Sequence, residues 1–182
     1  TRRSLHKLSG AVTGLAVKNI LPGQTLTLDM DSSLIESDKE TAKRTYEGFR
    51  GYNPMLAWLA EPGVFLGGLF RDGNASPQSH LRSLLRYCLR RLPAGVKLRL
   101  RSDSAGYRLD LIEECHKRGI EFAIRADLDP GVRDAIENIP ETAWRLVVRG
   151  EDVFLLAETI HVPGAGNNRY NLPAFRLIVT RR

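Results

Sequence analysis

The sequence predicts a mixed α/β fold in which a three-strand antiparallel meander is followed by parallel strands alternating with helices. Three observations carry this. Residues 25–31 read as a strand, because Thr25, Leu26, Thr27 and Leu28 suit a pleated backbone, and period two places Asp29 and Asp31 on one face with Met30 on the other. Extended segments within residues 45–60 and 64–70, joined by the turn Glu61-Pro62-Gly63, complete a meander with it. Strand 96–102, a helix over about residues 107–117 and strand 121–125 then form a strand–helix–strand unit, whose strands must pair in parallel.

In order along the chain, residues 1–24 are a lead-in in which Gly10 and Gly14 weaken any helix, and Pro22-Gly23 punctuates before the first strand. Residues 36–43 are a polar loop. After Arg71-Asp72-Gly73-Asn74, Ser76-Pro77 is expected to start a helix with proline at its first position, and Leu81, Leu84, Leu85, Cys88, Leu89 and Leu92 supply its apolar stripe. The helix at 107–117 is stopped by Gly119. Residues 130–138 read as one more helix, and Trp144–Arg149, Val153–Val162 and Phe175–Thr180 as strands, with turns at Gly150 and at Gly164-Ala165-Gly166-Asn167-Asn168. The division that follows is a lead-in over 1–24, a core over 25–138 and a β-rich region over 139–182.

A chain of 182 residues with 42% hydrophobic residues can bury a proper core in one domain with a small extension. No run approaches the roughly 18 apolar residues of a membrane span, and the start lacks the apolar segment of a signal peptide, so a cytoplasmic location is expected. The chain begins with Thr1 and is expected to be cut from something longer. Cys88 and Cys115 fall on predicted helices and are expected as free, buried thiols.

The charge is +6, from 27 Lys plus Arg against 21 Asp plus Glu. A solubilising surface accounts for that total by itself. The clustering says more, because Arg86, Arg90 and Arg91 close one helix, Lys97, Arg99 and Arg101 alternate along the strand to Asp103, and Arg181-Arg182 stand together. A cationic rim beside an acidic centre suits a phosphodiester.

The acidic centre is predicted where two strands each end in aspartate. Asp29 and Asp31 share one face of the first strand, and strand 96–102 runs into Asp103 before Ser104-Ala105-Gly106. Neighbouring carboxylates repel unless a positive group lies between them, and a divalent metal is the usual solution. Other constellations fail. His6, His80, His116 and His161 have no ligand spacing, Gly164-x-Gly166 precedes no helix, and Ser104 has neither a neighbouring histidine nor an elbow glycine before it. Trp58 and Trp144 read as packing residues.

The order β, β, β, α, β, α, β with an aspartate closing the first and fourth strands is the layout of a ribonuclease H-like fold. The sequence also resembles the DDE transposases of bacterial insertion sequences, in the branch with a β-rich insertion in the catalytic core. Carrying the resemblance are Thr27-Leu28-Asp29-Met30-Asp31-Ser32-Ser33, Gly51-Tyr52-Asn53-Pro54-Met55-Leu56, Leu69-Phe70-Arg71-Asp72-Gly73-Asn74-Ala75, Leu100-Arg101-Ser102-Asp103-Ser104-Ala105-Gly106-Tyr107 and Ile139-Pro140-Glu141-Thr142-Ala143-Trp144. It implies that Asp31 and Asp103 hold two magnesium or manganese ions, roughly 3.5–4 Å apart, for phosphodiester hydrolysis and strand transfer at transposon ends. It implies further that Asp29 supports the site, that Arg101, Tyr107, Arg99 and Lys97 contact DNA, and that the protein works as a homodimer in a bacterial, nucleoid-associated setting.

One departure matters. The family's third acid is a glutamate on a helix after the β-rich insertion, which this chain is expected to lack. Glu158 reads as an exposed strand carboxylate, and Asp127 and Asp129 as caps before Pro130. Two other readings compete: a haloacid-dehalogenase-type phosphotransferase with Asp29 as nucleophile, for which Asp29-x-Asp31 at a strand end speaks, and a non-catalytic DNA-binding relic.

Overall fold

The computed structural model describes residues 2–18, 20, 23–167 and 169–182, without the side chains of residues 2–6 and 9. Pro22 of the expected punctuation and Asn168 of the expected turn lie outside the described residues, as do Thr1, Asn19 and Leu21 of the lead-in. The chain divides into two compact units, Thr1–Arg125 and Ala126–Arg182.

The first unit contains helix α1 (Arg2–Val17), strands β1 (Thr25–Ser32), β2 (Ile35–Glu36), β3 (Lys43–Arg44), β4 (Arg50–Tyr52), β5 (Met55–Leu59) and β6 (Val64–Leu69), helix α2 (Leu81–Leu89), β7 (Lys97–Ser102), α3 (Leu109–Lys117) and β8 (Glu121–Ile124). Its main sheet has the order β6-β5-β1-β7-β8. β1 runs antiparallel to β5 and parallel to β7, β6 is antiparallel to β5, and β8 is parallel to β7. This is the expected ribonuclease H-like sheet, with the meander on one side of β1 and the strand–helix–strand unit on the other.

Period two decides what the sheet buries. Leu26, Leu28 and Met30 of β1, Ala57 and Leu59 of β5 and Leu98 and Leu100 of β7 are buried together with Leu81, Leu84, Leu85 and Cys88 of α2 and Leu111 and Cys115 of α3. Each of the larger side chains contributes about 1.5–3 kcal/mol by leaving water. The opposite face carries the polar members of β1 and β7, with Leu56 and Trp58 of β5 beside them.

Both cysteines are free and fully buried, as expected. Burial pushes both thiols up to about 12. At pH 8 the thiolate fraction is then about 10⁻⁴, so neither should react with a soluble aromatic disulfide in the native protein, while both react once it is unfolded. Rapid labelling of native protein would show that the packing between α2 and α3 opens.

Three local expectations are corrected. First, Gly10 and Gly14 do not prevent a helix in the lead-in. Thr13 and Val17 are buried, the Thr13 hydroxyl donates to the Phe65 carbonyl at 3.4 Å, and this packing offsets the roughly 1 kcal/mol that each glycine costs. Second, the polar loop at 36–43 is bordered by the two-residue strands β2 and β3, which flank β4 in a small sheet of order β2-β4-β3. Third, Ser76-Pro77 makes turns and α2 begins only at Leu81. The cause is Arg71, which is 8% exposed: its Nη1 donates to the carbonyls of Ser76, Pro77 and Ser79 at 3.2, 3.1 and 3.2 Å. Those carbonyls wrap a buried cation, so the segment cannot also form a first helical turn.

The second unit contains α4 (Pro130–Glu137) and a sheet of order β11-β10-β9, from β9 (Arg145–Arg149), β10 (Asp152–His161) and β11 (Phe175–Arg181), all antiparallel. Ile139, Ala157 and Val179 form its small core, with Ile136, Trp144 and Leu177 packed against them. The two tryptophans divide: Trp144 packs there, whereas Trp58 is 43% exposed and stands edge-on to Phe65, centroids 5.5 Å apart.

Candidate active site

The parallel register of β1 on β7 brings the predicted acids to one place. Asp29 pairs with Arg101 and Met30 with Ser102. One residue further along both strands stand Asp31 and Asp103, on neighbouring strands that lie about 4.8 Å apart. The backbone is still extended at Asp103, with φ −69° and ψ −165°, so its side chain follows the alternation of β7 onto the face of Arg101. Asp29 and Asp31 lie on the corresponding face of β1.

Both carboxylates are exposed and held by local N–H groups. Asp31 Oδ1 accepts from the Ser32 N–H at 2.7 Å, and Asp103 Oδ1 accepts from the Ala105 N–H at 3.1 Å, capping the short 3₁₀ turn Ser104–Gly106. Gly106 is required there, since a Cβ would lie 2.6 Å from Ser102 Cβ and Oγ. The turn therefore closes tightly under Asp103 and fixes where its carboxylate leaves the strand.

Asp29 is engaged differently. Arg101 Nε and Nη2 donate to its two carboxylate oxygens, each at 2.6 Å. This paired fork holds Arg101 protonated more firmly than usual, through the Asp29 hydrogen bonds and charge. Glu61 joins the group from the turn after β5: its carboxylate accepts from the Thr27 N–H at 2.8 Å. Burial pushes Glu61 up, but the Thr27 hydrogen bonds and the Arg101 charge together hold it below its ordinary value.

The other predicted contacts are spread along β7. Tyr107 directly follows the turn at Asp103, and its N–H donates to the Ser104 carbonyl at 3.0 Å. Arg99 lies on the Arg101 face and donates to Glu121 at 2.9 and 3.1 Å. Lys97 is exposed at the start of the strand, about 20 Å from Asp103 at the usual rise per residue. The remaining acids sit in the second unit. Asp129 caps α4 by accepting from the Val132 N–H at 2.8 Å, as expected, and Glu158 pairs with Arg145 and Arg176 at 3.2 and 2.6 Å. Among the described residues, no three His, Cys, Asp or Glu side chains are grouped to hold a metal.

The mixed sheet decides between two of the readings. A phosphotransferase with Asp29 as nucleophile requires β1 at the centre of an all-parallel sheet, and β5 runs antiparallel to it. Residues 2–160 match the family described as transposase DDE domain, group 1. The chain belongs to this DDE transposase family. No curated protein matches it. Among solved structures it is similar to a piggyBac transposase in a synaptic complex with hairpin DNA, at 10% identity and a TM-score of 0.45, over 96% of this chain and 36% of that one. The domain thus spans about a third of that protein's length.

Sequence reasoning did not identify Arg71, Asn53 and Glu61 in this DDE domain. Arg71 Nε donates to the Asn53 carbonyl at 2.8 Å, and Asn53 Nδ2 donates to the Ala75 carbonyl at 3.1 Å. Burial lowers Arg71 from its ordinary value, and carbonyl dipoles serve it in place of a carboxylate. Leu69-Phe70-Arg71-Asp72-Gly73-Asn74 was visible as a motif, but an arginine reads as exposed until its surroundings are known.

Proposed function

We propose that this domain is the catalytic-core portion of a DNA transposase and that Asp31 and Asp103 carry its phosphodiester chemistry. The observation behind the reading is the β1–β7 register, which delivers two carboxylates from adjacent parallel strand ends while Arg101 occupies Asp29. A divalent ion suits this donor set, because both acids are solvent-facing hard oxygen ligands and, among the described residues, neither is engaged by a cation. Asp31 and Asp103 would hold magnesium or manganese, which when bound supplies Lewis-acid stabilisation of the attacking and leaving oxygens.

The chain's own residues have separate tasks. The turn at Ser104–Gly106 orients Asp103, and the Asp29–Arg101 pair, neutral as a whole, holds the Arg101 guanidinium beside the carboxylates, where it would meet a DNA phosphate once the acids are charge-balanced by metal. Tyr107, directly after the turn at Asp103, would contact a nucleotide next to the cleaved bond. Residues 139–182 are read as part of a β-rich insertion, with the third acid supplied from elsewhere in the complete enzyme. DNA, as transposon end and as target, is the partner, and a homodimer the working assembly. Among the described residues no helix is long and apolar enough to cross a membrane.

The test is cleavage of a supercoiled plasmid carrying transposon ends. An enzyme containing this domain should nick it in magnesium and lose the activity in a chelator, whereas residues 1–182 alone should leave the plasmid intact. Cleavage that persists in the chelator contradicts the metal-dependent reading. Robust nicking by residues 1–182 places the third acid within them.

A further inference from the structure

Arg82 and Arg86 lie four residues apart on α2, Arg90 follows at its C-terminus, and Arg118 follows α3; the first, second and last of these converge on one carboxylate. Glu114 is 5% exposed. Its Oε1 accepts from Arg86 Nε at 2.9 Å and Arg118 Nε at 2.5 Å, and its Oε2 from Arg86 Nη2 at 2.6 Å, with Arg82 Nε 3.3 Å away. A buried carboxylate thus fixes three guanidinium groups from behind.

Four arginines against one glutamate leave an excess of three positive charges. The hydrogen bonds to Glu114 run through Nε of Arg86 and Arg118 and one terminal nitrogen of Arg86, so among the described residues the other terminal N–H groups of Arg86 and Arg118 have no partner to displace. Arg86, Leu89, Arg90 and Arg118 line a depression of about 360 Å³, and Arg90 is exposed beside it. A neighbouring depression, also lined by Leu89 and Arg118, includes Thr25 and Lys97, the first residues of β1 and β7. The cluster therefore sits at the opposite end of these strands from Asp31 and Asp103, about 20 Å away.

We infer that Arg82, Arg86 and Arg118, organised by Glu114, together with Arg90 beside them, form a second contact for the phosphate backbone of duplex DNA, separate from the carboxylate end of the sheet. Charge complementarity selects the ligand: planar N–H forks held in place match phosphate oxygens two at a time, and the side chains lose little freedom on binding. The proposal rests on the reading of this chain as a DNA-acting domain.

The experiment is a titration of the 182-residue chain with a fluorescent duplex of arbitrary sequence over a range of salt concentrations. Arg90→Gln, which breaks no hydrogen bond or ion pair among the described residues, should take about one from the slope of log affinity against log salt, and Arg90→Gln with Arg118→Gln should take about two and weaken binding about tenfold at 0.1 M salt. A charge-matched pair elsewhere, Lys39→Gln with Arg149→Gln, should stay within about twofold of the unaltered chain. If that pair weakens binding as much as the site pair, the attraction is diffuse and the site is overturned. If the unaltered chain binds and both arginine variants match it, the site fails while the DNA reading stands. If the unaltered chain binds no duplex even at low salt, the DNA reading fails and takes this site with it.

Discussion

Asp103→Asn, placed in a cleavage-competent protein that carries this domain, is expected to lower magnesium-dependent DNA cleavage by about 10³-fold or more. The substitution separates charge from structure. An asparagine oxygen can still accept the Ala105 N–H that now caps the turn at Ser104–Gly106, so the strand end keeps its shape. The negative charge that would hold a divalent ion is lost. Duplex binding should persist, or tighten slightly, since one repulsive charge is removed from the surface. Single-turnover cleavage of an end-labelled duplex measures the first effect, and circular dichroism with thermal melting checks the fold. Cleavage within tenfold of the parent, with an unaltered fold, would remove Asp103 from the chemistry. Asp31→Asn is expected to behave alike, whereas Asp29→Asn should act through Arg101 and reduce cleavage less.

The second large effect concerns acid stability. The Arg86 hydrogen bonds, outweighing burial and joined by Arg118, hold the Glu114 carboxyl at about 2, down from 4.5. A depressed folded-state value means that Glu114 favours the fold at any pH above the ordinary carboxyl range and that this contribution disappears as pH falls through 4.5 toward 2. Its full size is about 3 kcal/mol, of which about 2 kcal/mol is lost by pH 3. Urea unfolding at pH 7 and pH 3 reads this directly, with Trp58 as reporter in a Trp144→Phe background so that the first unit alone is followed. Glu114→Gln should be less stable at pH 7, with a smaller drop between the two pH values by about 2 kcal/mol. An identical drop in both proteins would mean that the arginines do not charge-stabilise the carboxylate.

Much of the core was legible because its signals are local. Alternation in Thr25–Asp31 and in Lys97–Ser102 gave the two strands, Gly119 gave the end of α3, and Asp129-Pro130 gave the start of α4. The two strand-end aspartates could be picked out for the same reason, as acids directly after apolar strands. The start of α2 was not legible in this way. Ser76-Pro77 is a good local helix start, and a side chain reaching back from Arg71 overrides it. Helix α1 was missed on the opposite ground, since glycines that look disruptive alone are tolerated where Thr13 and Val17 pack.

What the sequence by itself determined was the alternation that makes β1 and β7 strands with one buried face, and the placing of an aspartate at the end of each. Only the tertiary structure decided what these acids meet. Asp29 and Arg101 are 72 residues apart, and nothing local distinguishes a paired carboxylate from a free one. The parallel register couples them and leaves Asp31 and Asp103 to the solvent. In the same way Glu114 looks like one more surface acid on α3 until α2 lays Arg82 and Arg86 against it. The physical reason is common to both cases: periodicity is carried by the neighbours in the chain, whereas the partner of a charge is chosen by register and packing across the fold.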